Sequence, residues 1–170
     1  MLPQRFRVAI FGCSVILCLG CDRPSEVPVR PVKIAELDVM GDVSPDGRYL
    51  TYVDWSTGDL ALRDLDSGED RHLTAKGSWL ESSEWAEYSL ISPDGVSVAY
   101  AWRREDGVYD LRLLEIDGSA LRLLVRGDGL EYIAPRDWSP DGRQILAGFV
   151  KPNGEREIGQ PRHRAPARQP

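Results

Sequence analysis

The sequence predicts an all-β fold assembled from one repeated unit. Three observations carry that reading. The tetrapeptide Ser-Pro-Asp-Gly occurs at residues 44–47, again at 92–95 and again at 139–142, at offsets of 48 and 47 residues. Between the copies lie short runs of β-branched, aromatic and aliphatic residues bounded by turn-forming clusters. After residue 22 no segment of helical period exceeds two turns. A period of roughly 20 to 50 residues marks a repeat architecture, and about four short strands per unit is the blade of a β-propeller. The expectation is two and a half to three four-stranded antiparallel blades in an incomplete ring.

The elements follow from the N-terminus. Arg5 and Arg7 precede an apolar run from Val8 to Leu19. A basic start and a 12-residue apolar stretch are the layout of an export signal, and the run is short for a spanning helix, which needs about 20 residues. It ends in Leu19-Gly20-Cys21-Asp22, which resembles a bacterial lipobox, with Cys18 standing where a leucine is usual. Residues 1–20 are therefore read as a lipoprotein-type signal and Cys21 as the lipidated residue. An ordinary cleaved signal and an uncleaved anchor are the alternatives. Cys13, Cys18 and Cys21 are all the cysteines of the chain, so the body has no disulfide framework, thiolate metal site or thiol nucleophile. Residues 21–32 hold three prolines and four charges and read as a tether.

The repeat region is placed at 33–158. In the first unit, a strand from Arg48 to Trp55 is followed by strands at Leu60–Leu65 and Asp70–Thr74, with Trp85–Ile91 leading into the next tetrapeptide. The second unit gives strands at Val96–Arg103, Tyr109–Ile116 and Leu121–Val125, then Tyr132–Trp138. The third gives Gln144–Val150 and the turn Lys151-Pro-Asn-Gly154, where the repeat is read as stopping, two complete blades having been counted. Residues 159–170 hold three prolines and three arginines and read as a disordered tail.

Each tetrapeptide has turn chemistry. Pro45, Pro93 and Pro140 fix φ for a turn, Asp46, Asp94 and Asp141 bond to their own backbone, and Gly47, Gly95 and Gly142 accept positive φ. Ser44, Ser92 and Ser139 stand before proline, hence in extended backbone that ends a strand. The three aspartates are read as structural, although equivalent carboxylates around a ring could gather a cation.

Composition narrows the function. The net charge is −6, and without residues 1–20 the chain has 19 basic and 27 acidic residues, a charge of −8. An acidic body argues against nucleic acid, which needs a basic face. Histidine occurs at 72 and 163 alone, and His72 is read as structural. No Gly-x-Ser-x-Gly and no glycine-rich phosphate loop is present. Asp64-Leu-Asp66-Ser-Gly68 lacks the closing glutamate of a calcium loop and reads as a turn. Trp55, Trp102 and Trp138 are read as aromatics packed between blades. Neither a catalytic residue, a metal site nor a cofactor is expected.

The Ser-Pro-Asp-Gly-Arg turn with its aromatic or aliphatic strand, followed by Asp-Leu-Asp-Ser-Gly-Glu and Arg-His-Leu-Thr, resembles the TolB-like propeller repeat. The same repeat forms the N-terminal propellers of tricorn-type and prolyl-oligopeptidase-type proteases. The resemblance covers about residues 40 to 158. Together with the signal ending at Cys21 and the lack of a catalytic motif, the repeats lead to the expectation of a non-enzymatic protein-interaction module of the cell envelope, exported and lipid-anchored, with a protein partner. The alternative is the propeller of an exported peptidase or hydrolase whose catalytic domain is absent. Because closed propellers have about four to eight blades, open blade edges leave three expectations: a truncated longer protein, self-association that closes a ring, or a small open domain.

Overall fold

The structure, a computed structural model, describes residues 40–161. The expected signal, Cys21, the tether and the tail beyond Pro161 lie outside the described residues. The described part contains ten strands and no helix; hence none of its helices is long and apolar enough to cross a membrane.

The strands are β1 Tyr49–Asp54, β2 Asp59–Asp64, β3 Asp70–His72, β4 Trp85–Ile91, β5 Ser97–Arg103, β6 Tyr109–Glu115, β7 Arg122–Val125, β8 Tyr132–Trp138, β9 Ile145–Val150 and β10 Arg156–Gly159. They form three antiparallel sheets ordered β1-β2-β3, β4-β5-β6-β7 and β10-β9-β8. Each is a meander, because each connection is a short turn of the kind the sequence marks. The fold is all-β, an incomplete propeller.

Two details differ from the sequence expectation. The tetrapeptide does not open a blade; it joins the first and second strands of one sheet, β4 to β5 and β8 to β9. The four-stranded sheet is therefore the middle one, flanked by two of three strands. In the first sheet, residues 42–43 pair along β1 in the place of a first strand: Thr51 N donates to the Asp42 carbonyl at 2.9 Å, and Val43 bridges Leu50. The third unit also continues past Lys151-Pro-Asn-Gly154, because Arg156–Gly159 pairs with Gly148–Val150 of β9 and with Ala147. Its composition, with Ile158 the one large apolar residue, gives no sign of a strand; the partner strand supplies it.

The sheets stack face to face, with the middle sheet contacting both others through β4 and β8. Side-chain alternation sorts the two faces. Val53, Leu60 and Leu62 of the first sheet pack with Val98, Tyr100 and Trp102 of the second. Ala99 and Leu113 on the opposite face of the second sheet pack with Ile145 of the third, and Leu111 packs with Ile133 and Ala147. Counted from the tetrapeptide serine, residues six and eight places on face the preceding sheet. Those seven and nine places on face the following sheet.

Polar staples run between the sheets. Ser89 Oγ donates to Thr51 Oγ1 at 2.9 Å in the buried interior, and Ile91 N donates to Asp42 Oδ2 at 3.0 Å. Trp138 Nε1 donates to the Leu90 carbonyl at 3.3 Å. Trp102 and Trp138 thus lie between blades. Trp55 does not: it follows β1, is 42% exposed and stands at the repeat position of Arg103, one place beyond that of Trp102.

Candidate functional site

The three tetrapeptides all lie at one end of the sheets and share one geometry. Gly47 N donates to the Ser44 carbonyl at 2.8 Å, and the corresponding bonds of Gly95 and Gly142 are also 2.8 Å. Ser44 Oγ donates to Asp46 Oδ1 at 2.5 Å and accepts from Tyr49 N at 2.8 Å. Ser92 does the same with Asp94 and Ser97, and Ser139 with Asp141 and Gln144. Each aspartate also accepts from the backbone N–H two residues on. These bonds hold the carboxyls of Asp46 and Asp141 below their ordinary range, the serine hydroxyl being the main cause. The carboxylates face their own turns rather than a common centre. No group of three metal-ligating side chains occurs among the described residues.

The opposite end of the sheets is chemically richer. The loop from Thr74 to Glu84, between β3 and β4, is anchored by Asp59, which is 2% exposed. Asp59 Oδ1 accepts from Thr74 Oγ1 at 2.7 Å and from Lys76 N at 2.9 Å. This brings Trp79 to Trp85, with ring centroids 6.1 Å apart. Lys76 Nζ lies 4.2 Å from the Trp79 centroid, and the Arg103 guanidinium 4.3 Å from that of Trp85. The result is a ladder in which two neighbouring indoles each carry a cation, and each cation meets a ring face that attracts it. Trp79 is 40% exposed and Leu80 is 99% exposed. Trp79 Nε1 donates to the Trp55 carbonyl at 3.0 Å, which fixes the indole.

The ladder continues inward. Tyr109 and Tyr132 meet edge to face at 4.7 Å, and Tyr88 meets Tyr132 at 6.3 Å. Glu87 lies among them. Burial raises its carboxyl above the ordinary range against the pull of the Tyr109 hydroxyl and Arg103, and its Oε2 is buried without a partner. Burial, with Glu87 beside it, pushes Tyr109 up to about 12. Tyr132 is also raised, and its hydroxyl is buried and unpaired.

The first strands carry bulges here. Pairing of β4 with β5 skips Tyr88, whose φ is 43°, and pairing of β8 with β9 skips Arg136. A positive φ in a residue with a side chain is strained backbone. Pro135 is tolerated because β8 is an edge strand and the bulge follows it. The bulges turn Tyr88 and Arg136 into a cleft of about 300 Å³ that also includes Met40, Gly41 and Leu90. The cleft lies between β4, β8 and the segment at Met40–Gly41 that leads into the first sheet.

His72 has a placed partner after all: Nε2 lies 2.8 Å from Asp54 Oδ2. Asp54 Oδ1 also accepts from Ser56 Oγ at 2.6 Å. The carboxylate thus sits between hydroxyl and imidazole. Nucleophile activation needs the imidazole in the middle, touching the hydroxyl as base, so this trio is not built to activate Ser56. Asp64 accepts from the N–H groups of Asp66 and Ser67, which closes the Asp64-Leu-Asp66-Ser-Gly68 turn.

No family model matches the chain, and no curated protein matches it. Solved structures do. A TolB-type protein from Agrobacterium tumefaciens is 26% identical with a TM-score of 0.50, over 75% of this chain and 46% of that one. The chain is also similar to a structure of a nidogen/laminin complex, at 17% identity and a TM-score of 0.51, over 78% of this chain and 53% of that one. A prolyl endopeptidase matches at 19% identity and a TM-score of 0.51, over 71% of this chain and 20% of that one. The fold is that of a TolB-like propeller segment. The chain spans about half the length of the Agrobacterium protein and a fifth of the endopeptidase.

Proposed function

We propose that this chain is a non-enzymatic protein-interaction module of the cell envelope, of TolB-like propeller type, exported and held to a membrane through lipid on Cys21. One observation carries the interaction reading: the end of the sheets away from the tetrapeptide turns displays Trp55, Trp79 and Leu80 beside Lys76 and Arg103. Exposed tryptophan next to arginine is the chemistry that dominates protein interfaces, because a large rigid ring buries much area at small entropic cost. The tetrapeptide end offers turns satisfied by their own hydrogen bonds. The export and lipid parts rest on the residues before and at Cys21 and on the likeness to TolB.

Site-specific crosslinking tests the reading. A photoreactive residue in place of Trp79, in the full chain expressed in its own envelope, is expected to give one discrete protein adduct. The same residue in place of Gly68, at the opposite end, is expected to give none. Equal labelling from both positions, or none from either in a folded chain, overturns the proposal. Labelled palmitate separately tests Cys21: uptake that Cys21→Ala does not change removes the lipid anchor.

A further inference from the structure

We infer that the cavity between the first and second sheets is a binding site for a carboxylate joined to an apolar body. The cavity, of about 580 Å³, lies between the end of β3 with the loop that follows it and the β5–β6 face of the middle sheet. It opens because the first sheet stops short there: β3 has three residues, against seven in β6. Past His72 the chain leaves the sheet and runs into the Thr74–Glu84 loop, which walls the cavity with Thr74, Ala75 and Lys76. No further sheet is needed to form it.

The floor holds donors with nothing to bond. Tyr100, 0% exposed, and Trp102, 3% exposed, both line the cavity, and their rings meet edge to face at 6.2 Å. The Tyr100 hydroxyl and Trp102 Nε1 are buried without a hydrogen-bond partner. Buried polar groups are nearly always paired, and an indole N–H can only donate. Burial, against the pull of Arg112, pushes Tyr100 up to about 12, so its hydroxyl keeps a proton to give at neutral pH. Arg112 also lines the cavity, its guanidinium 4.8 Å from the Trp102 centroid. The one ion pair it makes among the described residues is long, Nη2 to Asp110 Oδ2 at 3.3 Å, and Asp110 is shared with Arg104. A guanidinium has five N–H donors, so most of them remain to be filled.

Two neutral donors and a cation on one floor call for a ligand group that accepts and carries negative charge. A carboxylate meets a guanidinium in two parallel bonds. Leu73, Leu114 and Leu121 supply an apolar wall beside it. The charged residues of the lining do not take that place. Asp117 accepts from Ser119 N at 2.8 Å in its own turn, and Glu84 makes no ion pair with Arg112. Lys76 Nζ donates to the Ser82 carbonyl at 3.0 Å, and His72 is held by Asp54. Lys76 and Arg112 balance Glu84 and Asp117, so the lining favours a ligand of one negative charge over a phosphate of two.

Titration of the full chain with N-acetyl-leucine, followed by NMR at the Trp102 indole N–H, tests this. Millimolar acid is expected to move that signal downfield and to saturate. N-acetyl-leucinamide, with the same body and no charge, and inorganic phosphate are each expected to bind at least about tenfold more weakly, the loss of a charge-assisted bond. Arg112→Gln is expected to weaken the acid by about the same factor. Tyr100→Phe is expected to weaken it about threefold or more while leaving Tm unchanged or higher, because the hydroxyl it removes has no partner in the free protein. A hydroxyl with a structural role would lower Tm instead. Should Arg112→Gln fail to fold, Tyr100→Phe decides alone. A signal that the acid does not move, equal binding of acid and amide, equal binding of phosphate, or an affinity that the folded variants leave unchanged overturns the inference.

Discussion

The serine of each tetrapeptide does more than end a strand. Ser92 is 2% exposed, its hydroxyl donates to Asp94 and accepts from Ser97 N, and its own N–H pairs with the Ser97 carbonyl. Replacing it with alanine removes both hydroxyl bonds and strands a backbone donor beneath the turn. A lost bond that leaves a buried group unpaired costs about 1–3 kcal/mol. Ser92→Ala is therefore expected to lower the unfolding free energy by about 2 kcal/mol in urea titrations, with Ser44→Ala close behind and the more exposed Ser139→Ala least. The sequence shows proline, aspartate and glycine as turn formers by type alone. It does not show the serine's role, because a bond from residue one to residue six depends on where the next strand begins. The carboxylates add a pH signature. Asp46 and Asp141 are held low in the folded chain, so their contribution is present above the ordinary aspartate range and is lost as pH falls from that range through the lowered folded values.

At the scale of the element, the first strand of each sheet carries the functional detail. The strands expected from turn chemistry and alternation, β1 to β9, need little more than residue type, as β5 shows in Ser-Val-Ala-Tyr-Ala-Trp-Arg. The bulges were not legible, since Tyr88 and Arg136 are not bulge-forming types and pairing with the neighbouring strand alone exposes them. The cation–indole ladder was equally hidden. Trp79 lies within, and Trp85 directly after, an irregular loop whose course is set by Asp59, on the second strand of the first sheet. Strand β4 also places Glu87 where its carboxyl is partly desolvated. Because the folded value is raised above the unfolded one, the folded chain holds the proton more tightly. Stability is then greatest at acid pH and falls as pH rises through the folded value. Glu87→Gln removes that penalty. It is expected to raise Tm by a few degrees at pH 7, since about 1 kcal/mol moves a domain of this size by roughly 4 °C. The gain should vanish near pH 4, where the wild-type carboxyl is itself protonated. A gain that is equal at both pH values rules out this cause.

The whole molecule behaves as a short one-dimensional array. The strands of the first and third sheets make no contact with one another; each packs on the middle sheet. In such an array stability is a sum of unit terms and nearest-neighbour terms. Among the described residues the middle sheet alone has two neighbours and four strands, and its Val98, Tyr100, Leu111 and Leu113 bury both of its faces. The third sheet has one neighbour, and its outer strand β10 is mostly exposed. Amide exchange reads that difference directly, because local opening costs less where fewer buried contacts must break. The amides of β5 and β6 are expected to exchange last, those of β9 and β10 first. Leu111→Ala, which thins the contact to the third sheet, should speed exchange in β8 and β9 while leaving β1 and β2 slow.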